Sequence, residues 1–485
     1  MGITRASAAR WMLIGTLTIF FTCWTSSPAQ GQEGDNAVFG TSAVTSSTAY
    51  IDASAFPTGT GGHTDICSII NSIYVNNLVP SGGGVIDARG VALSGSNPCT
   101  ISPWSGLTSL PPPSTVLLPA GVIVIDVQWV IPNGTRIIGD RRDTQIAEDF
   151  ASTPTDPFMI LMGNSTFCPS GCEGIVIQDV TLTQWTTASV LGIGGIDNEY
   201  AGQFSYVDHV VVNGMGTGVG VDGVGLKIGS GAANSGPYTN VNYTAGANCT
   251  SGAASVSCAT AVCVQIQAST RGIHGMTCTA SSTATDTTPP PAAVELDADN
   301  NSIEDVHFEG FYDGVVVGDS AGAAGNVLIN LTGGYGLGPV TNEVHICNGA
   351  AVSMSACTTS GSAADLTILG LGIGGGGGSA FNAYAIRDDV TGTIVDESSN
   401  ASEGTVGIYA LGESDSGGHS RFTTGPFTSG ATTSQPSPNP SPVWGTGSSA
   451  PTGSCPTGAI FSHTAGSTST TLYVCVSSAW TAITL

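Results

Sequence analysis

A short phrase of strand-forming residues recurs along this chain with nearly constant internal spacing. Copies begin at Ile177, Val207 and Ile303, and in each one further apolar residues follow three and five positions later. In the last two copies a glycine closes the phrase seven positions on, at Gly214 and Gly310, and a second apolar run begins twelve positions on. Repetition at fixed spacing is typical of proteins whose short units bury their apolar faces only by stacking on one another. The phrase therefore predicts a solenoid of short β-strands.

The charge composition of the chain argues against two classes of binding partner. The formal net charge is -25, only 9% of residues are charged, and Lys227 is the only lysine. A strongly acidic chain repels nucleic acid and anionic lipid surfaces, whose binders need clustered Lys and Arg. We therefore expect neither nucleic-acid binding nor membrane insertion, and the composition favours an extracellular β protein with many tight turns.

The first 30 residues are typical of a bacterial-type export signal. Arg5 and Arg10 precede an apolar stretch over 11–24, and Ser27-Pro28-Ala29 supplies the small residues that a signal peptidase reads. The apolar stretch is shorter than the roughly 20 residues that a membrane span requires. The sequence therefore predicts a secreted or cell-surface protein from which residues 1–30 are removed.

The cysteines fit this location. Thirteen are present, and setting aside Cys23 in the signal leaves twelve, an even number. No Cys-x-x-Cys pair with a second ligand pair occurs, so disulfides are favoured over a zinc site. Connectivity does not follow from sequence, but proximity along the chain favours the pairs Cys67–Cys99, Cys168–Cys172, Cys249–Cys258, Cys263–Cys278, Cys347–Cys357 and Cys455–Cys475.

The remaining chain divides into three predicted parts. Residues 36–430 form the repeat domain, which opens with a predicted helix over Asp65–Leu78, with Thr64 as its N-cap. Residues 431–451 form a linker with prolines at alternate positions, a pattern that favours an extended spacer. Residues 452–485 form a small β-hairpin module, which is too short to be stable without its predicted disulfide.

The stretch from about 48 to 410 resembles the pectate lyase-like superfamily of right-handed parallel β-helices, which includes glycosidases, lyases and phage tailspike domains. The motifs at 116–121 (VLLPAG) and 136–140 (RIIGD), which follow the predicted helix, carry the resemblance. It implies an all-β right-handed parallel β-helix solenoid with three sheets, an N-terminal capping helix and a small C-terminal β module. Asp179, His209 and Asp305 share one place in the phrase, where the family often has a ladder of polar residues, so we interpret them as structural.

Two segments suggest chemistry. The segment Tyr206–His209 resembles the Asp-His segment of some pectate lyases, although it lacks the Trp that usually precedes it, and it makes Asp208 and His209 catalytic candidates. The segment Arg271–Gly275 resembles the His-Gly motif of polygalacturonase-type hydrolases and nominates Arg271 and His274. The acidic motifs that precede it in those hydrolases are missing, so their catalytic triad is not carried over.

Other residues are candidates for binding. Tyr206 and Tyr312 could stack on sugar rings, and Arg387 could seed a basic patch for an acidic polymer. Asp297 and Asp299 are candidate Ca²⁺ ligands, because acidic oxygens suit hard cations. No other cofactor is predicted.

Two classes of function stay open at this stage. The first is a secreted β-helix protein that binds an extracellular polysaccharide and, if it is an enzyme, depolymerises it as a lyase or a hydrolase. The second is a non-enzymatic surface adhesin or fibre-like structural protein. In both cases the chain is expected to be a monomer or a homotrimer.

Overall fold

A computed structural model describes most of the chain from Ala49 to Ile483, all within the compact unit that begins at Ser46. The described residues are 49–56, 65–93, 98–107, 111–185, 193–215, 223–245, 261–280, 292–318, 325–333, 342–347, 365–373, 384–388, 394–397, 407–410, 421–422, 444–452, 455, 459–465 and 472–483. The predicted signal over 1–30 lies outside them.

Strands in the repeat domain form three parallel ladders, each built from one strand per coil. Ladder 1 begins near the N-terminus, and each strand pairs in parallel with the equivalent strand of the next coil. Its strands are Ala49–Asp52, Gly84–Asp87, Ser114–Leu117, Thr135–Ile138, Val176–Gln178, Tyr206–Asp208, Tyr238–Thr239, Ile273–His274, Ser302–Glu304, Asn326–Gly333, Asp365–Ile373, Ile394–Glu397 and Arg421–Phe422.

Ladder 2 follows ladder 1 after a very short turn in each coil, and the long strands Asn326–Gly333 and Asp365–Ile373 run through both. Its other strands are Gly121–Ile125, Thr144–Glu148, Thr181–Gln184, Val211–Met215, Asn242–Ala245, Thr277–Thr279 and His307–Glu309. Ladder 3 is a separate sheet of ten strands: Trp129–Ile131, Phe158–Met162, Gly194–Asn198, Leu226–Ile228, Val262–Ile266, Ala292–Leu296, Asp313–Gly318, Asn342–Cys347, Tyr384–Asp388 and Gly407–Ala410.

This architecture confirms the predicted parallel β-helix. The three apolar positions of the phrase are core positions at the end of ladder 1, in the turn and in ladder 2: in one copy Val207, Val210 and Val212 are all fully buried. Two further copies have the same spacing, Tyr238/Val241/Tyr243 and Ile273/Met276/Cys278. Sequence inspection overlooked them because their apolar positions hold tyrosine, methionine and cysteine.

The turn between ladders 1 and 2 is held in a left-handed conformation in coil after coil. We call its residues the turn row. Their φ angles range from 51° at His209 to 75° at Gly370. At five of these positions, from Asp179 to Asp305, the backbone N–H donates to the next coil, as from His209 to the Thr239 carbonyl at 3.1 Å. Non-glycine residues are uncommon at positive φ, and Asn, Asp and His are among those enriched there. The row consists of Asp179, His209, Asn240, Gly275, Asp305, Asn330 and Gly370.

The N-terminal helix spans Ile66–Ile73, continues as a π turn over Tyr74–Leu78 and ends in a helical turn over Val79–Ser81. Its N-cap is Asp65 rather than Thr64, because Asp65 accepts from the Ser68 backbone at 2.8 Å and completes a capping box with it. The helical residues Ile66, Ile69, Ile70 and Ile73 are buried in the core at the end where the first strands lie. Short 3-10 turns occur at Ala53–Ala55, Arg141–Asp143 and Ser230–Ala232. No helix in the described ranges is long and apolar enough to cross a membrane.

Ladders 2 and 3 fit together by pairing small residues with large ones across the core. A Cβ on Gly225 of ladder 3 would lie 2.5 Å from the ring of Tyr243 in ladder 2. One coil later, the two ladders are joined by the Cys263–Cys278 disulfide. The structure also forms the predicted disulfides Cys67–Cys99, Cys168–Cys172 and Cys455–Cys475. The predicted pairs Cys249–Cys258 and Cys347–Cys357 each include a residue outside the described ones.

The C-terminal module is a four-stranded sheet rather than a single hairpin. Ile460–His463, Leu472–Val476 and Ala479–Ile483 pair antiparallel, and Trp444–Gly447 adds a parallel edge strand. This edge strand lies inside the predicted 431–451 linker and pairs with the Ile460–His463 strand of the module. The remainder of the predicted linker lies mostly outside the described residues.

The turn row predicts a sharp difference between two substitutions at Asn330, which has φ 52° and donates to the Asp305 carboxylate at 3.0 Å. Asn330→Val should destabilise the fold by about 1–3 kcal/mol, because a β-branched residue is strained in this region. Asn330→Gly also loses the hydrogen bond, but glycine adopts positive φ without strain. It should therefore destabilise the fold less than Asn330→Val does. Midpoints of urea unfolding would check this, and equal midpoints for the two variants would contradict the assigned strain.

Glu343 predicts a pH dependence of stability. Its side chain is buried, its Oε2 has no hydrogen-bond partner, and burial raises its pKa from 4.5 to about 8. Between these two values the unfolded chain has lost the proton that the folded protein keeps, so the free energy of unfolding falls as pH rises. The free energy of unfolding of Glu343→Gln should equal that of the parent near pH 4.5 and should be larger near pH 8. The difference should grow by at most about 1.4 kcal/mol per pH unit.

The control for this comparison is Glu309→Gln, which changes a partly exposed glutamate in the same domain. Thermal unfolding of the three proteins across the pH range provides the readout. Parallel pH profiles for the parent and Glu343→Gln would show that the Glu343 carboxyl is not held neutral in the fold.

Candidate functional site

The outer face of ladder 1 brings several of the predicted residues into one line. Strand register places Asp208 beside Thr239, Thr239 beside His274 and His274 beside Glu304. Successive strands lie about 4.8 Å apart, so Asp208 and His274 are separated by about two spacings. Tyr206 lies on the same face of its strand as Asp208, because side chains alternate along a strand.

An open groove crosses the turn between ladders 1 and 2. Its volume is about 810 Å³. It spans four successive coils, or about 14 Å along the helix axis at the usual strand spacing. Seven of the nine lining residues are polar or charged, and three of them belong to the turn row. The groove is lined by Arg141, Asp143, Gln178, Asp179, Val180, His209, Val211, Asn240 and Asn242.

Asp208 lies beside this groove and is held by three donors. Its Oδ1 accepts from the Thr239 hydroxyl, from Asn240 Nδ2 at 3.3 Å and lies 2.8 Å from His209 Nδ1. Burial tends to raise the pKa of Asp208, but the hydrogen bonds from Thr239, His209 and Asn240 outweigh it and bring the pKa below its usual value. Asp208 is therefore ionised and firmly oriented.

Asp179, on the preceding coil, has the opposite tendency. Burial raises its pKa above the usual value, and the charge of Asp208 raises it further, against the lowering effects of His209 and Arg141. Two neighbouring carboxyl groups thus have pKa values shifted in opposite directions, one of them in the groove lining and the other beside it.

His274 and Arg271 lie further along the same face and do not line the groove. His274 Nδ1 is 3.1 Å from Glu304 Oε2. The Arg271 guanidinium lies 5.5 Å from the ring centre of Phe204, which is 52% exposed and has φ 60°. Such a stack holds an exposed aromatic ring and a cation together at the surface. His307, on ladder 2, pairs with Glu309 at 3.0 Å and is also outside the groove.

The other predicted binding residues belong to ladder 3 and its turns. Tyr312 is partly buried and directly precedes the Asp313–Gly318 strand. Arg387 lies in the Tyr384–Asp388 strand, with its backbone paired to His345. Asp297 and Asp299 follow the Ala292–Leu296 strand and are partly buried. The structure therefore does not bring these four residues to the groove.

Charged side chains on ladder 3 are mostly buried. Asp197 is 3.3 Å from Lys227, and burial raises its pKa to about 6. Burial likewise raises the pKa of Glu295 to about 7, although Gln265 donates to it at 2.9 Å. Lys227, the only lysine of the chain, also lies 3.3 Å from Glu199. The described acidic side chains of ladder 3 named here are thus paired or buried within the structure.

The described residues contain one group of three His, Cys, Asp or Glu side chains whose potential ligand atoms lie within 4.8 Å of one another. It consists of Asp65, Cys67 and Cys99, and both sulfurs are committed to a disulfide. Asp297 and Asp299 do not belong to such a group of side chains in the described ranges. Their Ca²⁺ role stays a prediction.

Sequence reasoning selected Asp208 and His209 but missed most of the groove. The missed residues were Arg141, Asp143, Gln178, Asn240 and Asn242. Asn240 could have been predicted from the sequence. In the copy of the phrase that starts at Tyr238, Asn240 holds the position that His209 holds in the copy that starts at Val207. Arg141 and Asp143 lie in a 3-10 turn outside any copy of the phrase, so no repeat signal marks them.

Comparison with known proteins finds similarity at the level of structure. No family model matches the sequence, and no curated protein matches it either. The tailspike of E. coli bacteriophage HK620, described as a mutant in complex with a pentasaccharide, is 12% identical over 62% of this chain and 58% of its own, with a TM-score of 0.37. The chain thus spans just over half the length of that tailspike.

Two further structures are similar over more of the chain. The Dettilon tailspike is 10% identical over 74% of this chain and 68% of its own, with a TM-score of 0.34. PfbA, a surface adhesin of Streptococcus pneumoniae, is 10% identical over 73% and 82%, with a TM-score of 0.35. These likenesses concern the β-helix fold alone.

Proposed function

We propose that the protein binds a polysaccharide in the groove between ladders 1 and 2. The observation that carries this proposal is the groove itself, which is open, elongated along the helix axis and lined by hydrogen-bonding side chains repeated from coil to coil. A polymer of sugars presents hydroxyl groups at regular intervals, and a repeated set of Asn, His, Gln and carboxylate groups can donate to and accept from them.

The electrostatics of the groove support a ligand that needs no dense positive charge. Arg141 and His209 are the basic residues in its lining, and Asp143 and Asp179 are the acidic ones. This near balance contrasts with the acidity of the whole chain. A neutral or weakly charged glycan would meet no strong repulsion there, whereas a densely anionic polymer would be repelled by the rest of the surface.

A substitution at His209 tests this binding site. His209→Asn keeps a residue that tolerates φ 51° but removes the imidazole from the groove. We expect its affinity for the glycan to fall at least about tenfold, equivalent to about 1.4 kcal/mol. Affinity electrophoresis in native gels, with a panel of neutral and acidic polysaccharides, would identify the ligand and measure the change.

The matched control is His307→Asn. His307 is also a partly exposed histidine paired with a carboxylate, but it lies outside the groove. It should bind as the parent does. If no polysaccharide retards the protein, or if the two variants lose affinity equally, the groove is not the glycan site.

Cleavage of the bound glycan is a second candidate function, and one observation favours it. Asp179 lies in the turn directly after the strand that pairs with Tyr206–Asp208, and its backbone N–H donates to the Asp208 carbonyl at 3.2 Å. Burial raises the pKa of Asp179, whereas hydrogen bonds lower that of Asp208. A retaining glycosidase needs two carboxyl groups about 5–5.5 Å apart, one protonated to assist the leaving group and one ionised to attack or stabilise. Asp179 would be the proton donor and Asp208 the ionised partner.

Asp179→Asn tests the second function apart from the first. Asn accepts the left-handed turn and keeps the shape of the side chain, so binding in native gels should persist. Loss of a general acid should lower the release of new reducing ends by roughly 10²–10⁴-fold. An absorbance assay for unsaturated products would reveal a lyase instead. If a polysaccharide retards the parent protein in the gel but is not shortened by it, cleavage of that polysaccharide is excluded.

A further inference from the structure

The sheet of the C-terminal module has two different faces. One face carries the Cys455–Cys475 disulfide, with Trp480 packed on it and the ring of Phe461 5.9 Å from that of Trp480. The strand pairings Ile460–Val474 and Leu472–Ile483 place aliphatic residues on the opposite side. We call this second side the aliphatic face; it carries Ile460, Leu472, Val474, Val476 and Ile483, with Ser462, Ala479 and Thr481 between them.

The aliphatic face is not covered by any described part of the chain. None of these five aliphatic residues is buried, and Val476 is 50% exposed. The apolar cluster of the module contains only Cys455, Ala459 and Cys475, with Trp480 against it, all on or beside the disulfide face. Ile460, Leu472, Val474 and Ile483 are partly exposed beside Val476, and neighbouring aliphatic side chains left partly in contact with water favour an interaction surface.

The distribution of charge indicates what covers this face. All ten basic and all 35 acidic residues of the chain lie at or before Arg421, so residues 422–485 contain none. Elsewhere, a net charge of -25 opposes contact between two copies through like-charge repulsion. Two modules could meet face to face without bringing any formal side-chain charge together. A charged partner would gain nothing from this surface, because it has no complementary charge to offer.

The chain between the repeat domain and the module allows such a meeting. Residues 423–443 are uncharged, with prolines alternating with other residues over 436–442. Such a segment is a semi-rigid spacer of about 3 Å per residue where it is extended. Two modules joined in this way can pair while the acidic repeat domains stay apart, so the repulsion between those domains is reduced by distance and by salt.

We propose that the aliphatic face of the module packs against the same face of a second copy of this chain. The two sheets would lie about 10 Å apart, with their aliphatic side chains between them, in a two-fold arrangement. This self-association does not depend on the glycan site. It would join two β-helix domains through their paired C-terminal modules.

Sedimentation velocity of the full chain, over a range of concentrations and at low and high salt, tests this proposal. We expect reversible association that strengthens with salt, because salt screens the acidic domains and does not weaken an apolar contact. Val476→Asp places a charge on the most exposed residue of the aliphatic face and should weaken the association at least about tenfold. Val476→Thr, of similar shape, should weaken it less.

Thr452→Asp is the matched control, since it adds the same charge at an exposed position of the module outside the aliphatic face. It should associate as the parent does. Mass spectrometry of the Cys455–Cys475 disulfide would verify that each variant module is folded. A parent chain that stays monomeric at every concentration and salt, or a Val476→Asp protein with its disulfide formed that associates like the parent, would overturn the proposal.

Discussion

The rest of the structure depends on the left-handed turn between ladders 1 and 2. Two residues separate Asp208 from Val211, and the chain changes from one ladder to the next only because His209 takes φ 51°. Seven coils repeat this turn, and in five of them a hydrogen bond from the turn residue to the next coil holds the stack in register. The same constraint selects residue types: Asn, Asp, His and Gly tolerate this conformation, and all but Gly bring polar side chains. A requirement of the backbone thus produces a row of hydrogen-bonding groups on the surface, beside which the groove lies.

Charge is used differently in three regions of the molecule. On the open groove, acidic and basic side chains alternate and remain accessible. Inside the solenoid, Glu148, Glu295 and Glu343 are buried, and burial raises their pKa values to about 7 or 8. These groups keep their protons at mildly acidic pH, where the fold carries less internal charge. The terminal module has no charged side chain at all. The three regions therefore differ in what they can contact: a polar polymer, other core residues, or an uncharged apolar surface.

Particular residues show how far sequence reasoning reached. The equivalence of Asp179, His209 and Asp305 was predicted from spacing and is confirmed by their shared left-handed backbone. Their interpretation as a structural ladder is only part of the picture, because two of the three line the groove as well. Tyr312, Arg387, Asp297 and Asp299 were selected for chemistry that suits a sugar or a cation, but they belong to ladder 3 and its turns. A one-dimensional pattern identifies which residues are equivalent within a coil, but not which of the three faces offers an open surface.

Local spacing and apolar periodicity were enough to predict the solenoid, its helical start and the small terminal module. Proximity along the chain favoured four disulfide pairs that the structure forms, although it could not fix their connectivity. The shared groove of Arg141, Asp179, His209 and Asn240 could not be predicted in this way, because these residues come from four different coils and stacking alone brings them together. Only the tertiary structure decided that Asp208 is ionised and Asp179 shifted towards its neutral form, since burial and neighbouring donors set a pKa and neither is visible in the order of residues.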